Sequence, residues 1–243
     1  MIRLNWNILT LLFLFSYSLT IPIATSADQL NDEHYTKEHA TLLQILNQED
    51  QDALSDFLHS HQNAQWLQEE DTKASIINTL MYEAENCNDD VILSFTNNNI
   101  TLSSRSVGSP YHFLGYMTST DNIAECIDIF IRAGIDINAT DGEGKTALIH
   151  ILYSHHPDTL LILERLIDNG ADPTLRSEAG LDLLHYSLLL HSLYSELIFD
   201  NEQKDDDTFI NEVKRMVNLT KRVNVMFTKY YTSKSANIDI NRI

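Results

Sequence analysis

Residues able to cap a helix N-terminus recur along this chain at a nearly fixed interval. Thr36, Thr72, Ser109, Thr146 and Asp182 are separated by 36, 37, 37 and 36 positions. Each carries a side-chain oxygen that can accept a bond from an unpaired first-turn N–H. A second series keeps the same step: His61, Asn98, Gly134 and Gly170 lie 37, 36 and 36 apart. These follow the apolar residues Phe57-Leu58, Phe95, Phe130-Ile131 and Leu166-Ile167. Gly and Asn tolerate the left-handed conformation that ends many helices; His61 suits it less well. Starts and stops in step predict a repeated helical unit. From Thr146 the spacing predicts a first helix to about Ser154 and a break at His155-His156-Pro157. Asp158 then caps a second helix over Thr159 to Asn169, with Leu160, Leu163, Leu166 and Ile167 on one stripe. One such pair cannot bury both its faces, so neighbouring pairs must stack.

Composition agrees with a mostly helical chain. Of 243 residues, 43% are hydrophobic, enough for a buried core, and 7 Gly with 4 Pro are too few for a turn-rich β-sandwich. The formal charge of -19 argues against binding nucleic acid phosphates, which draws on clustered Lys and Arg. The charge is uneven. From Asn211 onward Lys214, Arg215, Lys221, Arg222, Lys229, Lys234 and Arg242 outnumber Glu212 and Asp239. Such an end can dock on an acidic partner or a membrane surface, or fold back on the chain's own acidic units.

The first 27 residues read as an export signal. A short segment with one positive charge, Arg3, precedes the apolar run Ile8 to Phe15, and Ala24-Thr-Ser-Ala27 offers a cleavage site. Ser16, Ser18, Thr20 and Pro22 dilute the second half of the uncharged stretch, which favours cleavage over a membrane span; an uncleaved anchor is the alternative. The mature chain is therefore expected in the periplasm or the extracellular space, on a membrane only if that segment is retained. Cys87 and Cys126 sit near the same phase of successive units, and stacked units stand too far apart for an easy bridge, so two buried thiols are expected.

The connecting segments resemble those of ankyrin repeats. Gly134-Ile-Asp-Ile-Asn-Ala-Thr-Asp-Gly-Glu-Gly-Lys-Thr-Ala-Leu148 follows the family pattern G-A-D-[VIP]-N-x-x-D-x-x-G-x-T-[PA]-L with Ile135 for Ala. The segment from Gly170 to His185 is similar, with Thr174, Ser177 and Asp182 as its departures, and Ser109-Pro-Tyr-His112 resembles the T-P-L-H helix opening. In that motif the His bonds within and between neighbouring turns, so His112 is expected to be structural. The match is specific over about Gly108 to Ser187 and faint before it. The period exceeds the family's ~33 residues, and the Gly after the first helix is missing. The last unit is interrupted, its second helix starting near Asp207.

The resemblance implies an all-α helical solenoid of about four to five helix-turn-helix units. Residues 28–107 would hold divergent units, 108–195 the best-matching ones, and 196–243 the interrupted last unit with a basic cap helix and tail. It also implies a protein–protein interaction role on the concave side, where finger tips and first helices are presented. The candidate partner-binding residues are Thr140, Glu143 and Lys145 on one finger, Arg176 and Glu178 on the next, and Tyr153 on a first helix. A monomer that binds a protein partner, with no catalytic residues, cofactor or metal, is the expectation; a secreted effector acting on a foreign or host cell's protein is the first alternative, and a metal-binding protein or enzyme using the histidines the second. His59/His61 and His155/His156 lack the Cys or H-E-x-x-H companions of a zinc site, and no nucleophile elbow, P-loop or dinucleotide fingerprint occurs. Asn99, Asn138 and Asn218 begin glycosylation sequons, which matter only in a eukaryotic secretory pathway.

Overall fold

The computed structural model describes residues 37–48, 50–61, 64–82, 87–117, 120–201 and 207–240. The export segment, Thr36 and the polar stretch 202–206 lie outside them. The described chain is all-α. Its α-helices are α1 (Lys37–Asn47), α2 (Gln51–His61), α3 (Glu70–Tyr82), α4 (Asp89–Asn97), α5 (Thr120–Arg132), α6 (Ala147–Tyr153), α7 (Thr159–Asp168), α8 (Leu183–Asn201) and α9 (Asp207–Ile240). A 3-10 helix, Pro110–Tyr116, stands where the rhythm of the chain calls for a first helix.

The helices touch one another in two rows. One runs α1, α3, the 3-10 helix, α6, α8; the other runs α2, α4, α5, α7, α9, each member packing on the next. Alternate helices of the chain thus share a row, as the apolar stripes demand. On α7, Leu160, Leu163 and Leu166 are buried, and Leu161 is exposed. On α5, Ile123, Cys126, Ile127 and Phe130 are buried at the same helical spacing.

Three second helices end in one hydrogen-bond pattern. The N–H groups of Ile100, Ile135 and Ala171 donate to the carbonyls of Phe95, Phe130 and Leu166 at 3.0, 3.0 and 2.9 Å. Just before each donor sits a left-handed residue: Asn99 (φ 60), Gly134 (φ 69) and Gly170 (φ 101). This is a six-to-one helix stop with its apolar contact, since all six donor and acceptor residues are buried. Asn98, expected in the left-handed place, is the cap residue before it, with φ -92. His61 ends α2 as a helical residue, its ring stacked on Phe57 at 4.2 Å.

The expected starts fare unevenly. Ser109 caps the 3-10 helix in a reciprocal box with His112, and Asp182 Oδ1 accepts the His185 N–H at 3.1 Å ahead of α8. Thr146 and Asp158 precede α6 and α7 but make no side-chain cap bond. Thr72 is a correction: α3 begins at Glu70, and Thr72 is buried inside its first turn. Glu70 and Asp71 suit the positive end of the helix dipole, so the helix extends back over them.

A second correction concerns the cysteines. Cys87 and Cys126 form a disulfide with their Cα atoms 5.3 Å apart. The two are 39 residues apart, off the step of 36 to 37, and Cys87 lies in the extended segment just before the α4 cap Asn88. That segment reaches across to α5, which a cysteine in helical phase would not do.

Two variant sets test these features. At Gly134 and Gly170 an added Cβ meets nothing within 4 Å, so only the positive φ opposes a side chain. Gly134→Val and Gly170→Val should each destabilise the protein by about 1 kcal/mol or more in urea titrations. Two unchanged curves would contradict the helix-stop assignment. Replacing both cysteines with Ala, or reducing the bond, should cost about 2–4 kcal/mol for a loop of this length. Equal melting of the oxidised and reduced protein would mean the bridge contributes nothing.

Candidate interaction surface

The loops leading into the 3-10 helix, α6 and α8 fold alike. Ser104, Asp141 and Ser177 donate backbone N–H bonds to the carbonyls of Gly108, Lys145 and Leu181 at 2.8, 3.0 and 3.0 Å. Each loop is therefore a tight finger standing before a first-row element. Asp141 closes the middle one by accepting the N–H groups of Glu143 and Lys145, both at 2.9 Å, on Oδ1. Its other oxygen takes the Nε2–H of His150 at 2.7 Å. Burial pushes the Asp141 carboxyl up, but the His150 and backbone bonds outweigh it and hold the group below its ordinary range.

Neighbouring fingers are bonded to one another. The Glu178 N–H donates to the Glu143 carbonyl at 2.8 Å. The Asn138 amide donates to the Gly170 carbonyl at 3.2 Å and accepts the Asp172 N–H at 2.7 Å. A sequon asparagine is thus occupied in joining two turns. The Arg105 N–H donates to the Glu70 carboxylate at 2.7 Å.

His112 is the pivot of this arrangement. Its Nδ1 accepts the Ser109 N–H at 3.0 Å, so that nitrogen carries no proton. Its Nε2–H then donates to the Lys145 carbonyl of the next finger at 3.1 Å. Burial, reinforced by the His150 ring 4.9 Å away, lowers its pKa to about 4. The glycine before the cap fits this ring: a Cβ at Gly108 would sit 2.5 Å from it, and φ there is 76. His112 bonds within its own turn and to the next.

Of the six expected contact residues, Thr140, Glu143, Arg176 and Glu178 are exposed, and Lys145 and Tyr153 are half-buried. Thr140 pairs across the finger with Thr146, and Lys145 forms an ion pair with Glu143. The bond between Glu143 and Glu178 puts these two fingers side by side. Tyr153 lies edge-on to Tyr186 at 5.8 Å, and the Tyr186 hydroxyl is 3.0 Å from the Ser177 hydroxyl, between Arg176 and Glu178. Burial, aided by Tyr186, raises the Tyr153 hydroxyl pKa.

Three residues on this face escaped the sequence reading. Arg105 is exposed at the tip of the first finger. Tyr116 and Leu189, 45% and 56% exposed, stand 37 before and 36 after Tyr153, in its register on neighbouring first-row elements. Counting the period outward from Tyr153 would have found both.

The remaining polar groups are engaged elsewhere. His155, with φ 59, lies 3.5 Å from the Tyr194 hydroxyl, and its carbonyl accepts from Arg215 at 2.9 Å. His156 Nδ1 accepts the Asp158 N–H at 3.0 Å. His185 Nδ1–H donates to Asp182 at 2.6 Å, so at the start of α8 the cap and the histidine three residues on are again joined, here with the ring as donor. Neither the His150 nor the His185 ring is bonded to a hydroxyl or thiol among the described residues, where no three His, Cys, Asp or Glu converge as for a metal ion.

A pH dependence follows from His112. In the unfolded chain it takes up a proton below about 6.5, whereas the folded protein resists until about 4. Stability should therefore fall as pH falls across that window, by about 2–3 kcal/mol from this group. The lowered pKa values of His39 and His155, both caused first by burial, add in the same direction. Urea unfolding at pH 7.0 and 4.5 measures the loss, and His112→Gln should reduce the difference. Equal stability at the two pH values would contradict a neutral, buried His112.

No family model matches this chain, and no curated protein matches its sequence.

Proposed function

We propose that the protein is an exported ankyrin-type solenoid of about four to five units that holds a protein partner on its fingers and first helices. The observation carrying this reading is the recurrence of one loop. Three fingers that share one closing backbone bond are tied together by Glu178 to Glu143 and by His112 to Lys145. They offer Arg105, Glu143, Arg176 and Glu178 to solvent on fixed backbone. A contact surface held in this way loses little entropy on association, which is what recognition needs. Tyr116, Tyr153 and Leu189 add apolar area in one register, and aromatic residues are frequent binding anchors. The work proposed is binding, since His112, His150 and His185 on this face are engaged in caps and turns, the last two with Asp141 and Asp182.

Export is supported by two independent features, the apolar segment from Ile8 to Phe15 and the Cys87–Cys126 disulfide, a bond that persists in oxidising compartments. The decisive test isolates the partner from the native compartment on immobilised wild-type chain. Binding is then compared with Glu143→Lys/Glu178→Lys and with Tyr116→Ala/Leu189→Ala. Both double variants should melt near the wild type and bind at least about tenfold more weakly, each truncated anchor being worth more than ~1 kcal/mol. Undiminished binding by both would refute this face as the contact surface.

A further inference from the structure

The α9 helix carries a second surface that the fingers do not use. It packs along α8 through Val213, Met216, Leu219, Thr220, Val223 and Phe227, all buried. Ser187 Oγ and His191 Nδ1 fix the register, at 3.3 Å from the Thr220 carbonyl and 3.0 Å from its hydroxyl. The opposite side is cationic. Lys214, Lys221, Arg222 and Lys229 are exposed, and none meets a carboxylate among the described residues. At about 100° per residue the four fall within an arc of roughly 100°, facing away from the buried stripe. Between Asn211 and Thr232 the only carboxylate is Glu212, which lies off this arc and is held by Arg215 at 2.6 Å. The basic end therefore folds back by its apolar stripe and leaves its charges outward.

We infer that this side of α9 docks on an anionic phospholipid surface. The cations recur at steps of seven and eight residues from Lys214 to Lys221 to Lys229, a track of about 22 Å along one side of the helix. Val225, 57% exposed, sits in the middle of it. A regular row of flexible cations, with neither a pocket nor an interleaved acid, suits a laterally uniform anionic plane better than a partner of defined shape. The rest of the chain makes this orientation selective. With 2 of 35 acidic and 7 of 16 basic residues at or after Asn211, 33 acidic and 9 basic residues precede it. The rest of the chain, being strongly acidic in sum, is repelled by an anionic surface, and salt screens that repulsion over about 8 Å at physiological strength. The α9 apolar stripe is spent on α8, so the attachment is electrostatic and shallow.

Sedimentation of the full chain with vesicles tests the inference. Vesicles containing one-third phosphatidylglycerol should bind it at least about a hundredfold more tightly than pure phosphatidylcholine at low salt, at about fivefold per cation. The phosphatidylcholine arm subtracts any binding by the apolar N-terminal segment. The preference should vanish in 0.5 M NaCl and in K214Q/K221Q/R222Q/K229Q, while K214R/K221R/K229R retains it. Circular dichroism melting would verify that the Gln variant is folded. No preference for anionic vesicles, or a preference surviving the Gln variant, overturns the inference. Binding to soluble polyglutamate as tight as to the anionic vesicles would also overturn it, in favour of an acidic polypeptide.

Discussion

One backbone hydrogen bond, made again at each helix stop, sets the geometry of everything after it. Where Ile100, Ile135 and Ala171 reach back to Phe95, Phe130 and Leu166, the chain reverses within two residues and leaves the helix at a fixed angle. The same bond buries the donor's side chain against the helix it has just left, so the turn and the core are settled together. Each finger then starts from an equivalent place. Equivalent starting places let the Glu178 N–H find the Glu143 carbonyl and let Asn138 span two turns. A left-handed residue is the local requirement, met twice by Gly and once by Asn99.

Much of this was legible in the sequence because punctuation residues act locally. Gly134, Gly170, Ser109 and Asp182 do in the structure what their backbone and side-chain chemistry implies. Errors arose where a local signal had a competitor. Thr72 could cap, but Glu70 and Asp71 before it could open a helix at its positive end, and the longer helix prevails. Asn97, Asn98 and Asn99 all tolerate the left-handed turn, and composition cannot choose among three in a row. The disulfide was hidden for another reason. Helical phase describes residues inside helices, and Cys87 lies outside one. On the candidate surface, charges at finger tips were readable from turn chemistry. Tyr116 and Leu189 were not, because an apolar residue in a helix is ordinarily buried and only the assembled rows show which are left uncovered.

The chain also divides its polar chemistry by depth. Buried or half-buried groups such as His112, Asp141 and Tyr186 are bonded across elements and hold the fingers in register. Some exposed charges are paired along the second row, as in Arg132 with Asp89 and Arg165 with Asp128, while Arg105, Arg176 and Glu178 on the fingers and the cations of α9 are exposed to solvent. Paired surface charges contribute little to stability, which leaves the open ones free to serve recognition.

The covalent link between Cys87 and Cys126 has a mechanical consequence. A row of helices in which each touches only its neighbours gives way piecemeal when its ends are pulled apart, lengthening step by step. The segment spanning 39 residues between these sulfurs cannot be paid out, whatever the load. Roughly 130 Å of extension is thereby withheld from a chain under tension. All of α4 and the 3-10 helix lie inside that closed loop, so the middle of the protein keeps a short tether when everything on either side has yielded.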